Sequence, residues 1–175
     1  MKPKFDNNDT ELSLSDIYYI KEDMDGREFE KFCVLLFKRT NQYKNVEITP
    51  YKCDGGKDII LTKLNNEKIY VECKRYSPRF TTNEDWMIGR VVCQKLIGAM
   101  VGEGIHEGVI ISTGNVHDNS YKYIRRLHLN NKSIKLNIIE MDEILKMSKN
   151  LSRNELMEIS KIKSYFYKHE KLKLQ

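Results

Sequence analysis

An acidic residue, any residue and then a lysine occurs once in the 175 residues, at Glu72-Cys73-Lys74. Side chains on a strand alternate between faces, so Glu72 and Lys74 point one way and Cys73 the other. Ile69 and Val71 share the Cys73 face and belong in a core. The strand therefore has one apolar face and one face with an acid and an amine. Asp58 follows Gly55-Gly56-Lys57 and lies on the neighbouring strand of an expected hairpin. Two carboxylates on adjacent strands suit Mg²⁺ or Mn²⁺; Mg²⁺ takes oxygen ligands and usually only one or two protein carboxylates. Such a cation offsets the charge that develops when a phosphodiester is cleaved. An ammonium two residues from the second carboxylate can position or deprotonate the attacking water, or neutralise charge on the phosphate. The competing reading is an ordinary strand end reaching solvent. Asp58 and its preceding glycines weigh against it.

Register tests this reading. A two- or four-residue loop centred on Asn65-Asn66 sets residue 58 opposite residue 73, on the face away from Glu72. Only an odd-length loop or a bulge brings Asp58 to the face of Glu72 and Lys74. Asn tolerates the left-handed conformation that a three-residue loop needs, so the sequence permits the odd loop.

The elements around the hairpin follow from periodicity and caps. Asp25 caps a helix over residues 26–39, with Phe29, Phe32, Cys33, Leu36 and Phe37 facing a core. A strand over 46–49 stops at Pro50. The hairpin strands are 57–63 and 68–74. The polar cluster at 81–85 opens a helix over 84–101. Then come a strand at 108–112, a helix at 119–129, a strand at 134–140 and a short helix at 142–147. Ser152 and Glu155 open a C-terminal helix reaching about residue 169. The order predicts an α/β fold, a central mixed sheet flanked by helices on both faces.

Charge narrows the partners. The net charge is +5, but residues 1–30 carry four Lys/Arg against nine Asp/Glu, and residues 149–175 carry seven against three. A basic body and tail suit a polyanion, although a solvated lysine-rich surface gives the same count. No apolar run approaches the ~18 residues of a membrane span, and the N-terminus lacks the apolar core of a secretory signal. No membrane association is expected. Cys33, Cys53, Cys73 and Cys93 fit no metal or disulfide pattern and read as reduced thiols of a cytoplasmic protein. His106, His117, His128 and His169 have no ligand spacing, so zinc is not expected.

Several segments, in order, carry a resemblance. They are Asp25-Gly26-x-x-Phe29-Glu30 with Leu35-Leu36, then Val46-Glu47-Ile48-Thr49-Pro50 and Asp54-Gly55-Gly56-Lys57-Asp58. Val71-Glu72-Cys73-Lys74-Arg75-Tyr76, Gln94-Lys95-Leu96-Ile97-Gly98-Ala99-Met100 and Gly108-Val109-Ile110-Ile111-Ser112-Thr113 follow. Together they resemble the catalytic domain of the Mrr-type restriction endonucleases, of the PD-(D/E)xK nuclease superfamily. The resemblance implies a restriction-endonuclease-like core and metal-dependent DNA cleavage, with Mg²⁺ or Mn²⁺, in restriction or defence. It implies Asp58 and Glu72 as metal ligands, with the Cys73 backbone carbonyl and Glu30 beside them, Lys74 as the catalytic lysine and Gln94 as a supporting catalytic residue. Many Mrr-type domains have Gln where this chain has Glu72, and no Pro precedes Asp58. Asp54, ahead of two glycines, reads as a turn residue that competes with Asp58. Glu30 also reads as simple charge compensation near a helix start. Arg90 and Gln94 share a helix face that looks either into the cleft or into solvent. Arg75, Arg90 and Lys95 are candidates for DNA contact, and Tyr70 for the cleft wall.

The expected organisation is an N-terminal extension over 1–23, the nuclease domain over 24–147 and a basic C-terminal helix over 148–175. Cutting both strands of a duplex favours a homodimer, and Leu156, Ile159, Ile162 and Phe166 offer a stripe either for it or for the chain's own core. A partner subunit supplying target recognition is the further expectation. A structure-selective, junction-resolving nuclease uses the same residues. A non-catalytic nucleic-acid-binding subunit of a larger complex is the alternative from another class, against which the complete Asp58, Glu72 and Lys74 set argues.

Overall fold

A run of apolar residues three and four apart needs a defined start, and Asp25 supplies it. Its side chain accepts the Glu28 N–H (2.8 Å) while Glu28 accepts the Asp25 N–H (3.0 Å). This reciprocal cap opens helix α2, Gly26–Arg39, which buries Phe29, Phe32, Cys33, Leu36 and Phe37 on one face. The computed structural model describes residues 12–50, 55–77, 87–149 and 151–159. Asp54, the 81–85 cap cluster, Trp86, Cys53 and the C-terminal helix beyond residue 159 lie outside them.

Before α2 come a short helix α1, Leu14–Tyr18, and a π-helical turn, Tyr19–Asp23. After it run strand β1, Tyr43–Ile48, and the hairpin strands β2, Ile59–Lys63, and β3, Lys68–Lys74. Strand β4, Met87–Ile88, helix α3, Arg90–Gly102, and strand β5, Glu107–Ser112, follow. Strand β6, Asn115–Val116, helix α4, Asp118–Asn130, and strand β7, Lys135–Ile139, lead to helices α5, Met141–Ser148, and α6, Arg153–Ile159. The sequence pattern carried the third helix back to residue 84. Met87 and Ile88 instead pair in parallel with Asn115 and Val116, and Gly89 in extended conformation caps a later helix start. That pairing joins segments almost thirty residues apart, which a local cap pattern does not register.

The main sheet has the order β1-β2-β3-β5-β7. Neighbours β1, β2 and β3 are antiparallel, whereas β3-β5 and β5-β7 are parallel. Two apolar clusters cover it. On one face Ile59, Leu61, Ile69, Val71, Val109 and Ile111 meet α2, with Ile144 of α5 and Leu156 of α6. On the other, Tyr70, Ile110 and Leu136 meet Cys93, Leu96, Ile97 and Met100 of α3, with Tyr123, Ile124 and Leu127 of α4 against them. Gly108 permits the close approach of α3, since a Cβ there would lie 2.5 Å from Met100 Sδ. This is the mixed sheet with helices on both faces that the element order predicts, and a restriction-endonuclease-like α/β fold.

Both flanks contribute to the first cluster. Tyr19, Ile20 and Met24 are buried in it, as are Leu151 and Leu156, while Ile159 packs against its edge. Ser152 and Glu155 form the expected reciprocal cap of α6. Glu155 also pairs with Arg39 of α2. The described half of the C-terminal apolar stripe thus packs on its own domain; Ile162 and Phe166 lie outside the described residues.

Candidate active site

The β2–β3 loop decides where Asp58 goes. It has three residues, Leu64, Asn65 and Asn66. The Lys63 N–H donates to the Glu67 carbonyl (2.8 Å), and the Asn66 N–H donates back to the Lys63 carbonyl (3.0 Å). Asn66 takes φ +69°, the left-handed conformation such a loop needs. This odd loop sets Ile59 opposite Val71 and Leu61 opposite Ile69. One residue further, the register brings Asp58 across from Glu72. The ladder makes a last bond there, Asp58 N–H to the Val71 carbonyl (2.8 Å), and the chain bends away.

Asp58 Oδ2 accepts the Cys73 N–H at 2.6 Å. Because N–H and C=O of one strand residue point the same way, the Cys73 carbonyl turns toward Asp58 too. Burial pushes the Asp58 carboxyl up to about 6 and the charges of Glu72 and Glu30 push the same way, against the Cys73 N–H and the Lys74 ammonium. Thr49 braces the segment from β1, its hydroxyl reaching the carbonyls of Lys57 (2.8 Å) and Asp58 (3.0 Å).

Glu72 is only 2% exposed. Its Oε1 meets Lys74 Nζ at 2.5 Å and lies 3.8 Å from Lys95 Nζ. Its Oε2 is buried and has no hydrogen-bond partner among the described residues. Burial works against the Lys74 ammonium, but the bond to Glu72 and the charges of Glu72 and Asp58 outweigh it, so the lysine titrates above its usual range. Downstream, the Thr113 N–H donates to the Lys74 carbonyl (3.1 Å), and the Thr113 hydroxyl bonds Tyr76 N–H and carbonyl (2.9 Å each). These contacts hold the end of β3 against β5.

These residues fit a hard divalent cation. A buried carboxylate oxygen without a donor is costly, and so is a second carboxyl whose ionisation its neighbours resist. A cation relieves both costs with the oxygen donors Mg²⁺ and Mn²⁺ prefer. Among the described residues no group of three or more His, Cys, Asp or Glu is arranged to hold a metal, so the fit rests on the Asp58 and Glu72 pair.

The other sequence candidates fall differently. Glu30 lies near enough to act on Asp58, but its carboxylate is taken by Arg27, which also donates to the Thr49 carbonyl (3.1 Å). Lys95 is the α3 residue that reaches Glu72, and its side chain is 58% exposed. Gln94 is exposed on α3, and no contact brings it to Asp58 or Glu72 among the described residues. Arg90 lies over the Tyr123 ring of α4, 5.0 Å from its centroid. Arg75 donates to the Glu22 carbonyl (3.3 Å), tying the π-helical turn to the end of β3. Tyr70 is buried, and its hydroxyl donates to Glu103 Oε2 at 2.5 Å. Sequence reasoning passed over Glu103, since nothing local marks a C-terminal helix cap as a partner for a strand thirty-three residues earlier.

The family model described as a restriction endonuclease, with the Mrr catalytic domain, matches residues 21–148. No curated protein matches the chain. Among the described residues no helix is long and apolar enough to cross a membrane. The matched span holds the three-residue hairpin, both carboxylates and the lysine that follows them, and on it the chain belongs to the Mrr-type restriction endonuclease family of nucleases.

Proposed function

We propose that the chain is a divalent-metal-dependent DNA endonuclease that hydrolyses phosphodiester bonds and acts in restriction or defence against foreign DNA. The observation that carries this reading is Glu72: a nearly inaccessible carboxylate with one oxygen on Lys74, the other open, beside an Asp58 carboxyl that burial pushes up to about 6. Asp58 and Glu72, with the Cys73 carbonyl, hold the ion, and Glu30 adds charge from outside the ligand set. When bound, Mg²⁺ or Mn²⁺ supplies positive charge for the phosphate and acidifies water. Lys74, in contact with Glu72, is placed to position or deprotonate the attacking water and to meet charge on the scissile phosphate. Lys95, 3.8 Å from the Glu72 oxygen that also meets Lys74, is placed to receive the adjoining DNA phosphate. Gln94, as a supporting catalytic residue, and Arg90, as a DNA contact, act from the exposed surface of the same helix, and Arg75 acts through the π-helical turn it holds.

The test is incubation of the purified protein with supercoiled plasmid, single-stranded and branched DNA, with Mg²⁺, Mn²⁺ or EDTA. Cleavage that needs the ion supports the reading, and cleavage at full rate in EDTA sinks it. A strong preference for the branched substrate assigns the site to junction resolution. Double-strand cutting needs two such sites, and we propose a homodimer. Leu156 is already used by the chain's own core and is not free to form the dimer interface. A monomeric mass by light scattering under cutting conditions removes the dimer.

A further inference from the structure

We infer that Glu103, Lys57 and Tyr70 form a clamp that fixes the turn carrying Asp58, with Glu103 as a positioning residue. The inference rests on the reading of Asp58 given above. The turn cannot hold itself: Gly55 and Gly56 take φ +62° and +83°, conformations that add freedom to the segment just before the carboxylate. Two sets of contacts remove that freedom. From β1, Thr49 bonds the Lys57 and Asp58 carbonyls. From the other side, the Lys57 side chain is drawn into the body of the protein.

Lys57 is 8% exposed, low for a lysine next to a turn. Its Nζ meets Glu103 Oε1 at 2.5 Å and lies 4.6 Å from the centre of the Tyr70 ring. Tyr70 donates its hydroxyl to the other Glu103 oxygen at 2.5 Å. Glu103 thus joins three elements: the end of α3, the middle of β3 and the turn before β2. Burial and the Glu103 carboxylate push the Tyr70 hydroxyl up to about 12, so it donates at every ordinary pH. The bonds to Lys57 and Tyr70 hold the Glu103 carboxyl below the usual range. The turn lies close against α3 and its cap: a Cβ on Gly55 would sit 3.8 Å from Glu103 Oε1, and one on Gly56 would sit 3.5 Å from the Ala99 Cβ. Lys57 and Asp58 are adjacent, so a slack Lys57 leaves Asp58 with its own bonds to Thr49, Val71 and Cys73 but without a fixed residue on its N-terminal side.

The experiment compares wild type, Glu103→Ala, Glu103→Gln and Tyr70→Phe. Cleavage kinetics are measured with Mn²⁺, and amide hydrogen exchange is measured without metal. Half-exposed Glu103 tolerates truncation, and circular dichroism confirms folding. In Glu103→Ala, kcat falls on the order of tenfold to a hundredfold with KM for DNA little changed, because the carboxylate is misplaced rather than removed. Exchange at the Asp58 N–H rises more than tenfold, while the core amides of Ile69 and Val71 stay protected. Glu103→Gln keeps one acceptor oxygen for Lys57 and turns its NH₂ as a donor to the Tyr70 oxygen, so it restores most of kcat, and Tyr70→Phe falls between. Unchanged Asp58 exchange in Glu103→Ala overturns the clamp, and so does a raised exchange rate with unchanged kcat. Raised exchange in the variant of a protein whose wild type cuts no DNA leaves the clamp standing and instead removes the nuclease reading.

Discussion

Val71 and Glu72 are neighbours on β3 and nearly equally inaccessible, at 0% and 2% exposure. Their surroundings are opposite. Val71 faces α2 among Phe29, Phe32, Leu36, Ile59 and Leu61, in a packed apolar cluster. Glu72 faces α3, where the apolar floor ends at Tyr70 and gives way to Lys74, Lys95 and Asp58. One face of the strand packs apolar side chains on apolar side chains. The other buries a carboxylate with an open oxygen and crowds a second carboxyl beside it, at a cost to stability. Where local consistency breaks in an otherwise consistent fold, the break marks the site.

The contrast is sharpest in paired variants. Glu72→Gln and Asp58→Ala drop DNA cleavage to background in a gel assay, the largest effect expected. Glu72→Gln leaves the melting temperature in EDTA equal or higher, since it removes a buried charge. Lys74→Ala retains DNA binding in a mobility-shift assay but loses cleavage on the order of 10²–10³-fold. Leu61→Ala, on the α2 side, does the reverse. It costs about 2–5 kcal/mol in urea unfolding, with cleavage per folded molecule unchanged. A Leu61→Ala chain that stays folded yet inactive breaks the division between the faces.

The pH dependence follows from Asp58. Its carboxyl binds a proton more tightly folded than unfolded, so its stabilising contribution is complete below about pH 4 and is lost as pH rises through about 6. In EDTA, wild type therefore loses stability over that interval relative to Asp58→Asn. Cleavage runs the other way, falling below about pH 6 as the proton competes with the cation. Parallel pH–stability curves for the two proteins contradict the assignment.

Much of this was legible in the chain. The Asp25–Glu28 cap, the limits of β3 and the central mixed sheet follow from short-range pattern. So does the hairpin, because a lone Asn-Asn between two strands restricts the loop and an Asn can take φ +69°. What the chain does not spell out is long-range. The β4–β6 pair joins segments almost thirty residues apart. Tyr70 and Lys57 meet Glu103 across thirty-three and forty-six residues. Arg27 claims the Glu30 carboxylate, which the motif alone assigns to the metal. Lys95 rather than its exposed neighbour Gln94 reaches Glu72, because the α3 phase is set by packing of Cys93, Leu96 and Met100 against the sheet. The smallest prediction tests the loop: Asn66→Ala costs about 1–2 kcal/mol of stability in urea through its left-handed backbone, and Asn66→Gly costs little.

The central claim is that the buried charge around Glu72 is kept for a divalent cation. Thermal unfolding of the intact chain against Mn²⁺ concentration tests it most directly, because an ion bound only by the folded state raises the melting temperature in a saturable way. The account predicts such a rise for wild type, reversed by EDTA, and its loss in both Glu72→Gln and Asp58→Asn. No rise in wild type, or an equal rise in the two variants, contradicts it.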